Sequence, residues 1–380
     1  MSARRRVLVI PSWYPSEAEP TAGIFILQQV RALAAVADVA VLHVAGGSSA
    51  FGPTVTVEDG VTVVRMGIDA TGAFRRFVGY RAAGRTGFKA VLAEWGRPDI
   101  VHVQALFPAA LVARDIKRRK GIQYIVTEHS EEYLAASKRR LVSTPGTLSL
   151  LLRPLARGAA RTVVVSRFLG DRLAELGLAD KQPVVIPNVV PVSHATPLPF
   201  SAPHMIAHVS VMSPAKNLGM LLAAVDLLRA RRQDFILRLV GDGECRAELE
   251  DEVTARDLGD FVEFTGRKSV DEVHSILGTS AFSVVSSTHE TFSVSAAESL
   301  MCGRPVLSTR CGGPEEFVSA ENGMLIANDD AQAMADGLYR MLDDFSEFSP
   351  DALHEYARAR FAPEVVAARI LDVYSEVLGG

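Results

Sequence analysis

The sequence predicts an α/β protein built from two doubly wound, parallel-sheet domains, and three observations carry that prediction. Short, almost uninterrupted apolar runs such as Val7-Leu-Val-Ile and Tyr124-Ile-Val-Thr suit strands buried on both faces of a parallel sheet. They alternate with stretches whose apolar residues recur every three or four positions, as helices against a sheet require. The 380 residues exceed what one core ordinarily holds, and four prolines between Pro191 and Pro203 mark a linker near the middle.

In order, Arg6 to Pro11 reads as the first strand, and a loop to Gly23 carries Ser12-Trp-Tyr-Pro and Thr21-Ala-Gly. A helix is expected over Phe25–Val36, strands at Val39–His43, Val61–Met66 and Ile100–Val103, and a basic helical stretch over Arg76–Trp95. Pro108–Lys120 is helical and ends in Lys117-Arg-Arg-Lys; Tyr124–Thr127 is a strand that delivers Glu128 and His129. Leu148–Ala160 reads as a helix, with strands at Thr162–Val165 and Val184–Ile186 closing the first half. The second half repeats the alternation: strand 205–211, helix Leu218–Arg231, strand Phe235–Val240, helix Arg246–Leu258 and strand Val262–Thr265. Helix Val270–Gly278, strand 281–285, helix 291–301, strand Val306–Ser308 and helices beyond Asp329 follow. The expected domains are residues 1–190 and 191–362, with the helix in 363–380 returning to the first. Two such Rossmann-like domains facing across a cleft present ligands with the carboxyl ends of their strands.

Composition narrows the function. Apolar content of 48% and charged content of 22% are those of a globular protein. Cys245, Cys302 and Cys311 are odd in number and lack C-x-x-C spacing, which argues against a disulfide framework and for a reducing, cytoplasmic setting. The apolar run after MSARRR stops at Pro11, too soon for a signal peptide, and no run is long enough to span a bilayer. Residues 1–190 hold 25 basic against 15 acidic side chains, and residues 191–380 hold 15 against 29. The basic half suits an anionic membrane surface or a phosphate-bearing acceptor, or simply an acidic partner domain. Nucleic acid is disfavoured, because the basic residues lack interleaved aromatics and a recognition motif.

The chemistry concentrates in Ser286–Met301, where Glu290 leaves a strand and Glu298 falls eight positions later on a predicted helix. That spacing returns nearly to the same helix face, about two turns in. The N–H groups of Thr291 to Val294 would then be first-turn donors, an anion site with a carboxylate on each side. Lys216 precedes a helix, where a cation is unfavourable unless an anion binds. Gly241-Asp-Gly lets backbone approach a nucleotide, although Arg246 stands where a third glycine would complete a dinucleotide fingerprint. His129, flanked by Glu128, Glu131 and Glu132, suits sugar contact or proton transfer. There is no metal-ligand spacing, no P-loop and no G-x-S-x-G elbow. Each feature also has a plain alternative: a dipole-capping acid, a solvated glutamate, a tight turn, a surface lysine, a loop histidine.

Taken together, Lys216-Asn, Gly241-Asp-Gly, Phe264-Thr-Gly-Arg, the Glu290/Glu298 pair, Ala297-Glu-Ser-Leu-Met-Cys-Gly-Arg-Pro-Val, Cys311-Gly-Gly-Pro-Glu-Glu and Asn322-Gly-Met-Leu form an ordered series. It resembles glycosyltransferase family 4, retaining enzymes of the GT-B fold that transfer sugar from nucleotide diphosphate sugars. Pro11-Ser-Trp-Tyr-Pro and Gly23-Ile-Phe-Ile look like members that build polysaccharides. The resemblance implies that Glu298 holds the ribose and Glu290 the donor sugar. The backbone of Phe292, Ser293 and Val294 would meet sugar and diphosphate, which Lys216 neutralises. Gly241, Gly266 and Arg267 would flank the base, Gly23 would approach the phosphates, and His129 would lie by the reacting sugar. It implies a hexosyltransferase with no cofactor and no metal, and the donor as co-substrate. The acceptor would be a sugar, a lipid-linked group reached from the inner membrane face, or a small molecule. One departure stands out: the family commonly has an arginine five residues before the lysine, and here that position is Val211. Arg267, Arg304 or an arginine of the first domain could replace it. The departure leaves two other readings open, a catalytically silent nucleotide-sugar binding protein and an epimerase of the same architecture.

Overall fold

The computed structural model describes residues 4–17, 19–47, 51–69, 72–134, 147–179, 182–192 and 203–379. The basic cluster at 138–140 and most of the proline-rich stretch lie outside the described residues. The chain divides into two compact units, Met1–Val189 with Pro363–Gly380, and Val190–Ala362.

In the first unit the elements run β1 (Arg6–Pro11), α1 (Ile24–Val36), β2 (Asp38–Gly47), β3 (Thr54–Glu58), β4 (Val61–Asp69), α2 (Ala73–Glu94), β5 (Ile100–Gln104) and α3 (Ala110–Lys120). They continue with β6 (Tyr124–Glu128), α4 (Arg153–Ala156), β7 (Thr162–Val164), α5 (Arg167–Glu175) and β8 (Val184–Val185). The sheet order is β3-β4-β2-β1-β5-β6-β7-β8. Val7–Ile10 and every residue of β5 and β6 are buried, as expected of central parallel strands covered on both faces. The direction of winding reverses between β1 and β5, which opens a crevice at their carboxyl ends.

Three features depart from the sequence reading here, one of them the unexpected helix α5. Strand β3 pairs antiparallel with β4 at the sheet edge, and its Val55 and Val57 are exposed, so no buried apolar run announced it. The single helix expected over 148–160 is instead a π turn at Thr147–Leu152 and the short α4; Tyr124 donates its hydroxyl hydrogen to the carbonyl of Leu155.

The second unit contains β9 (His204–Val209), α6 (Leu218–Arg229), β10 (Phe235–Val240), α7 (Arg246–Ala255), β11 (Val262–Gly266), α8 (Val270–Thr279), β12 (Phe282–Val285) and α9 (Val294–Met301). It ends with β13 (Val306–Thr309), β14 (Gly323–Ile326), α10 (Ala331–Asp344) and α11 (Pro350–Phe361). Its sheet, β11-β10-β9-β12-β13-β14, pairs in parallel throughout and reverses between β9 and β12. The core lies where Leu221, Val225 and Leu228 of α6 and Met334, Leu338 and Met341 of α10 cover Leu237, Phe282 and Leu307. Both helices present apolar residues at spacings of three and four, which is what places them there.

The last helix, α12 (Pro363–Leu378), belongs to the first unit. Its Val366, Ala367, Ile370, Val373 and Tyr374 enter the core beside Ile26, Val30 and Leu33 of α1. Tyr374 is fully buried, with its hydroxyl 2.6 Å from Nδ1 of His102 on β5. Removing that hydroxyl leaves a buried ring nitrogen unpaired. Tyr374→Phe is therefore expected to lower the unfolding free energy of the first unit by about 1–3 kcal/mol; urea unfolding indistinguishable from wild type would contradict the contact.

Candidate functional site

At the reversal of the second sheet, β12 runs beside β9 with Phe282 opposite Ile206 and Ser283 opposite Ala207. The loops that leave these two strands are joined to each other. Ser286 donates through Oγ to the carbonyl of Lys216 at 2.7 Å, and Thr288 donates through its backbone N–H to the carbonyl of Ala215 at 2.8 Å. These bonds set Lys216 opposite Glu290, with Nζ 2.7 Å from Oε1. Ser287 Oγ donates to the same carboxylate oxygen at 2.7 Å. The backbone of Glu290 is fixed in turn: its N–H donates to Cys311 O at 2.7 Å and its carbonyl accepts from Gly313 N–H at 2.9 Å. With side-chain exposures of 22% and 13%, the ammonium and carboxylate form a largely desolvated pair, not a surface one.

Neighbouring groups have defined states. His208 donates from Nδ1 to Val284 O at 2.9 Å, which makes Nε2 the acceptor from Ser210 Oγ at 2.8 Å. Burial pushes its pKa down to about 4, so the ring is neutral near pH 7. Burial, and then the charge of Glu290, push the Cys311 thiol up to about 12. A thiol so held is no nucleophile.

Helix α9 begins later than its periodicity suggests. Ser293 takes the left-handed conformation, φ 72° and ψ 85°, so the helix starts at Val294. The first-turn donors are those of Val294 and the residues after it, not Thr291, and Glu298 lies in the second turn. The side chain of Phe292 is 3% exposed and packs against Phe317 and Phe361 at ring separations of 5.3 and 5.5 Å. It offers a ligand its backbone alone. Ser293 is buried and Val294 half-buried. Glu298 is 14% exposed, and its Oε1 lies 3.8 Å from Nε2 of His274 on α8, a buried nitrogen with no hydrogen-bond partner among the described residues.

The Gly241 loop is joined to the same wall. Ser210 N–H donates to Val240 O at 3.0 Å and Met212 N–H to Asp242 O at 3.0 Å. Gly241 has φ 128°, and a Cβ there would lie 1.9 Å from the carbonyl oxygen of Ser210, so only glycine lets these loops approach. Its N–H donates to Gly266 O at 2.9 Å, and Arg267 next to it is exposed. Arg246 is engaged by Glu250, Nε to Oε1 at 2.8 Å. Arg304 is not available as a replacement phosphate clamp: it is 1% exposed and donates through Nε and Nη2 to the carbonyl of Gly278. Val211 is 63% exposed.

Gly23 and His129 belong to the first unit. Gly23 precedes α1 with φ 67°, and a Cβ would meet Trp13 O at 2.6 Å. His129, at the end of β6, is 6% exposed and its pKa is pushed down to about 3 by burial. Its Nε2–H donates to Gln104 Oε1 at 2.7 Å, and its ring lies 4.8 Å from that of Phe25. A neutral histidine of this kind makes hydrogen bonds but does not shuttle protons near pH 7. Glu128 has a structural task, accepting from the N–H groups of Leu106, His129 and Ser130 at 2.8, 2.9 and 2.9 Å. The structure thus brings together Lys216 and Glu290, adds Phe292 to Val294 along the same loop and Glu298 on the helix it leads into, and ties Gly241 to Gly266. Ser287, His274 and Gln104 were missed by the sequence reading: His274 and Gln104 are single polar residues within largely apolar stretches, and Ser287 is one hydroxyl in a polar run, and neither setting carries a spacing signal.

Residues 22–194 match the family model described as Glycosyltransferase Family 4, and residues 193–360 match that described as Glycosyl transferases group 1. The chain is 28% identical over 298 residues to a 2-deoxystreptamine glucosyltransferase of Streptomyces kanamyceticus, covering 73% of this chain and 77% of that one. Across eight curated relatives the matched part is 37% to 77% of the relative's own length. Among solved structures, a sucrose-phosphate synthase from Thermosynechococcus elongatus superposes with a TM-score of 0.81 at 21% identity, covering 99% and 100% of the two chains. Anabaena HepE in complex with UDP and glucose superposes with a TM-score of 0.73 at 16% identity, covering 98% and 99%. The fold is GT-B, two Rossmann-like domains.

Two outcomes are expected. Gly241→Ala forces both a left-handed strain and a backbone clash, and should destabilise the second unit by at least about 2 kcal/mol; an alanine variant with unchanged melting would contradict the close approach. For His208 the folded pKa lies below the unfolded value of about 6.5. Its contribution to stability is therefore complete above that pH and is lost as the pH falls toward 4, by up to about 1.4 kcal/mol per pH unit. His208→Asn should flatten the decline in second-unit stability between pH 6.5 and 4.5; a decline parallel to wild type would contradict the assignment.

Proposed function

This chain belongs to glycosyltransferase family 4, and from that premise we propose that it moves a hexosyl group from a nucleotide diphosphate sugar to an acceptor hydroxyl, retaining the anomeric configuration and using no metal ion. The observation that supports this most is the Lys216–Glu290 pair, held at the reversal of the second sheet just before the amino end of α9. That is where a doubly wound sheet offers a ligand site, and the residues there match what the donor presents.

In this reading Lys216 leaves Glu290 for the diphosphate, and the freed carboxylate accepts hydroxyls of the donor sugar. The N–H groups around Ser293 and Val294 face the phosphate oxygens, and Glu298 receives the ribose hydroxyls. Gly241, Gly266 and Arg267 flank the base. Gly23 and His129 take, by family resemblance, the phosphate and sugar contacts of the first domain. The acceptor oxygen attacks the anomeric carbon on the face from which the diphosphate departs. The carbon–oxygen bond to the diphosphate breaks, the new glycosidic bond forms, and the acceptor's proton passes to the departing phosphate oxygen. Lys216 and the helix N–H groups stabilise the charge that develops there. UDP is the nucleotide in the HepE complex and stands as the first candidate base.

The polymer, glycolipid or glycosylated metabolite so built is a proposal of the same rank, as are a cytoplasmic location and peripheral membrane contact. The last four residues of α3, Lys117 to Lys120, support the contact. Among the described residues no helix is long and apolar enough to cross a membrane. A second reading, a silent nucleotide-sugar binding protein, draws on the exposed Val211 and the buried Arg304; measured sugar transfer by the purified chain would exclude it.

Lys216→Ala should lower kcat by about 100- to 1,000-fold, with a smaller effect on donor KM. An equal loss from a distant surface lysine would contradict the role. NMR of the product from an anomerically pure donor should show the donor's configuration; an inverted product would overturn the mechanism.

A further inference from the structure

His274 is a polar residue where the fold calls for an apolar one. The buried face of α8 is Val273, His274, Leu277 and Gly278, a stripe at helical spacing of the kind that packs against a sheet. His274 is 6% exposed, and its Nε2 has no hydrogen-bond partner among the described residues. A buried nitrogen left in that state is costly, and a leucine at this position would carry no such cost. The same nitrogen faces α9, where Glu298 Oε1 lies 3.8 Å away. That is too long for a hydrogen bond, and short enough that a rotation of the glutamate side chain closes it.

The frame around the pair is fixed from several sides. Val273 and Leu277 pack with Ala207, Val240 and Cys302 in one buried cluster, which seats α8 on the sheet and on the end of α9. Arg304, fully buried just beyond α9, donates through Nε to the carbonyl of Gly278 at 3.0 Å. Cys302 N–H donates in turn to the carbonyl of Glu298 at 2.9 Å. The His274 ring therefore has a set place beside α9. The Glu298 carboxylate, 14% exposed on a long rotatable side chain, is held by no such packing.

We propose that His274 is a positioning residue for Glu298: its Nε2–H donates to one carboxylate oxygen and so aims the carboxylate at the ribose hydroxyls of the donor nucleotide. The proposal rests on the transferase reading of this site. A carboxylate accepts at both oxygens and at several lone pairs, so a bond to His274 leaves capacity for the ribose. Holding the glutamate in one rotamer before the nucleotide arrives removes an ordering cost from binding. That is how a residue that never touches the ligand adds affinity.

The test is calorimetric titration of the full chain with UDP, GDP, ADP and dTDP. It is run on wild type, His274→Phe, His274→Gln, Glu298→Ala and the double variant His274→Phe/Glu298→Ala. The nucleotide that wild type binds should bind about 3- to 10-fold more weakly to His274→Phe, which keeps a ring and loses its N–H. His274→Gln, whose amide supplies an N–H, should recover most of that loss. In the Glu298→Ala background His274→Phe should change affinity by less than about 2-fold, because no carboxylate is left to aim. Where the phenylalanine variant does not fold, His274→Leu carries the same expectations. A ring that merely packs gives the same loss in both backgrounds and no recovery with glutamine. Either result, or wild-type affinity in His274→Phe, would overturn the proposal and leave the transferase reading standing. A wild type that binds none of the four nucleotides would sink the transferase reading and the positioning role with it.

Discussion

An ammonium and a carboxylate held 2.7 Å apart at a sheet reversal are the constraint on which the second unit's site depends. The pair exists because β9 and β12 are neighbours, because Ser286 and Thr288 join the loops that follow them, and because Glu290 is clamped by the backbone at Cys311 and Gly313. Little of this is to be counted as stability. Desolvating two charges costs nearly what their attraction returns. In the proposed function the pair holds the Lys216 ammonium in place until the donor's diphosphate competes for it.

The two sheets solve the same topological problem with different chemistry. In the second unit the loops at the reversal bring charge, backbone donors and a second carboxylate at Glu298. In the first unit they bring aromatic rings and a neutral histidine. The difference is written in the loops alone, since both sheets have central strands of the same buried, apolar kind.

The fold was legible wherever burial imposes a pattern. Strands such as Val7–Ile10 and Tyr124–Thr127 are apolar because both faces are covered, and the helices of the second unit keep three- and four-residue spacing. It was not legible where burial is absent or local geometry decides. Strand β3 is exposed on both faces, β14 is a four-residue strand opening with glycine, and α5 is announced by little more than its Ser166 cap. The start of α9 turns on one left-handed serine, which no propensity predicts. At the site, Lys216 and Glu290 were readable because charged residues at strand ends stand out. Arg304 was misread as available for the opposite reason: its composition says surface, and only the structure shows it bonded inside to Gly278. Gln104 and His274 were silent because a lone polar residue in an apolar run has the same appearance whether it packs or acts.

The central claim is that the loops after β9 and β12, with Glu298 behind them, bind a nucleoside diphosphate. Calorimetric titration of the purified chain with UDP, GDP, ADP and dTDP, repeated on Glu298→Ala, tests it most directly. The account predicts binding of one of these, weakened at least about 10-fold when the carboxylate proposed to receive the ribose is removed. Binding of none, or binding indifferent to Glu298, would contradict it.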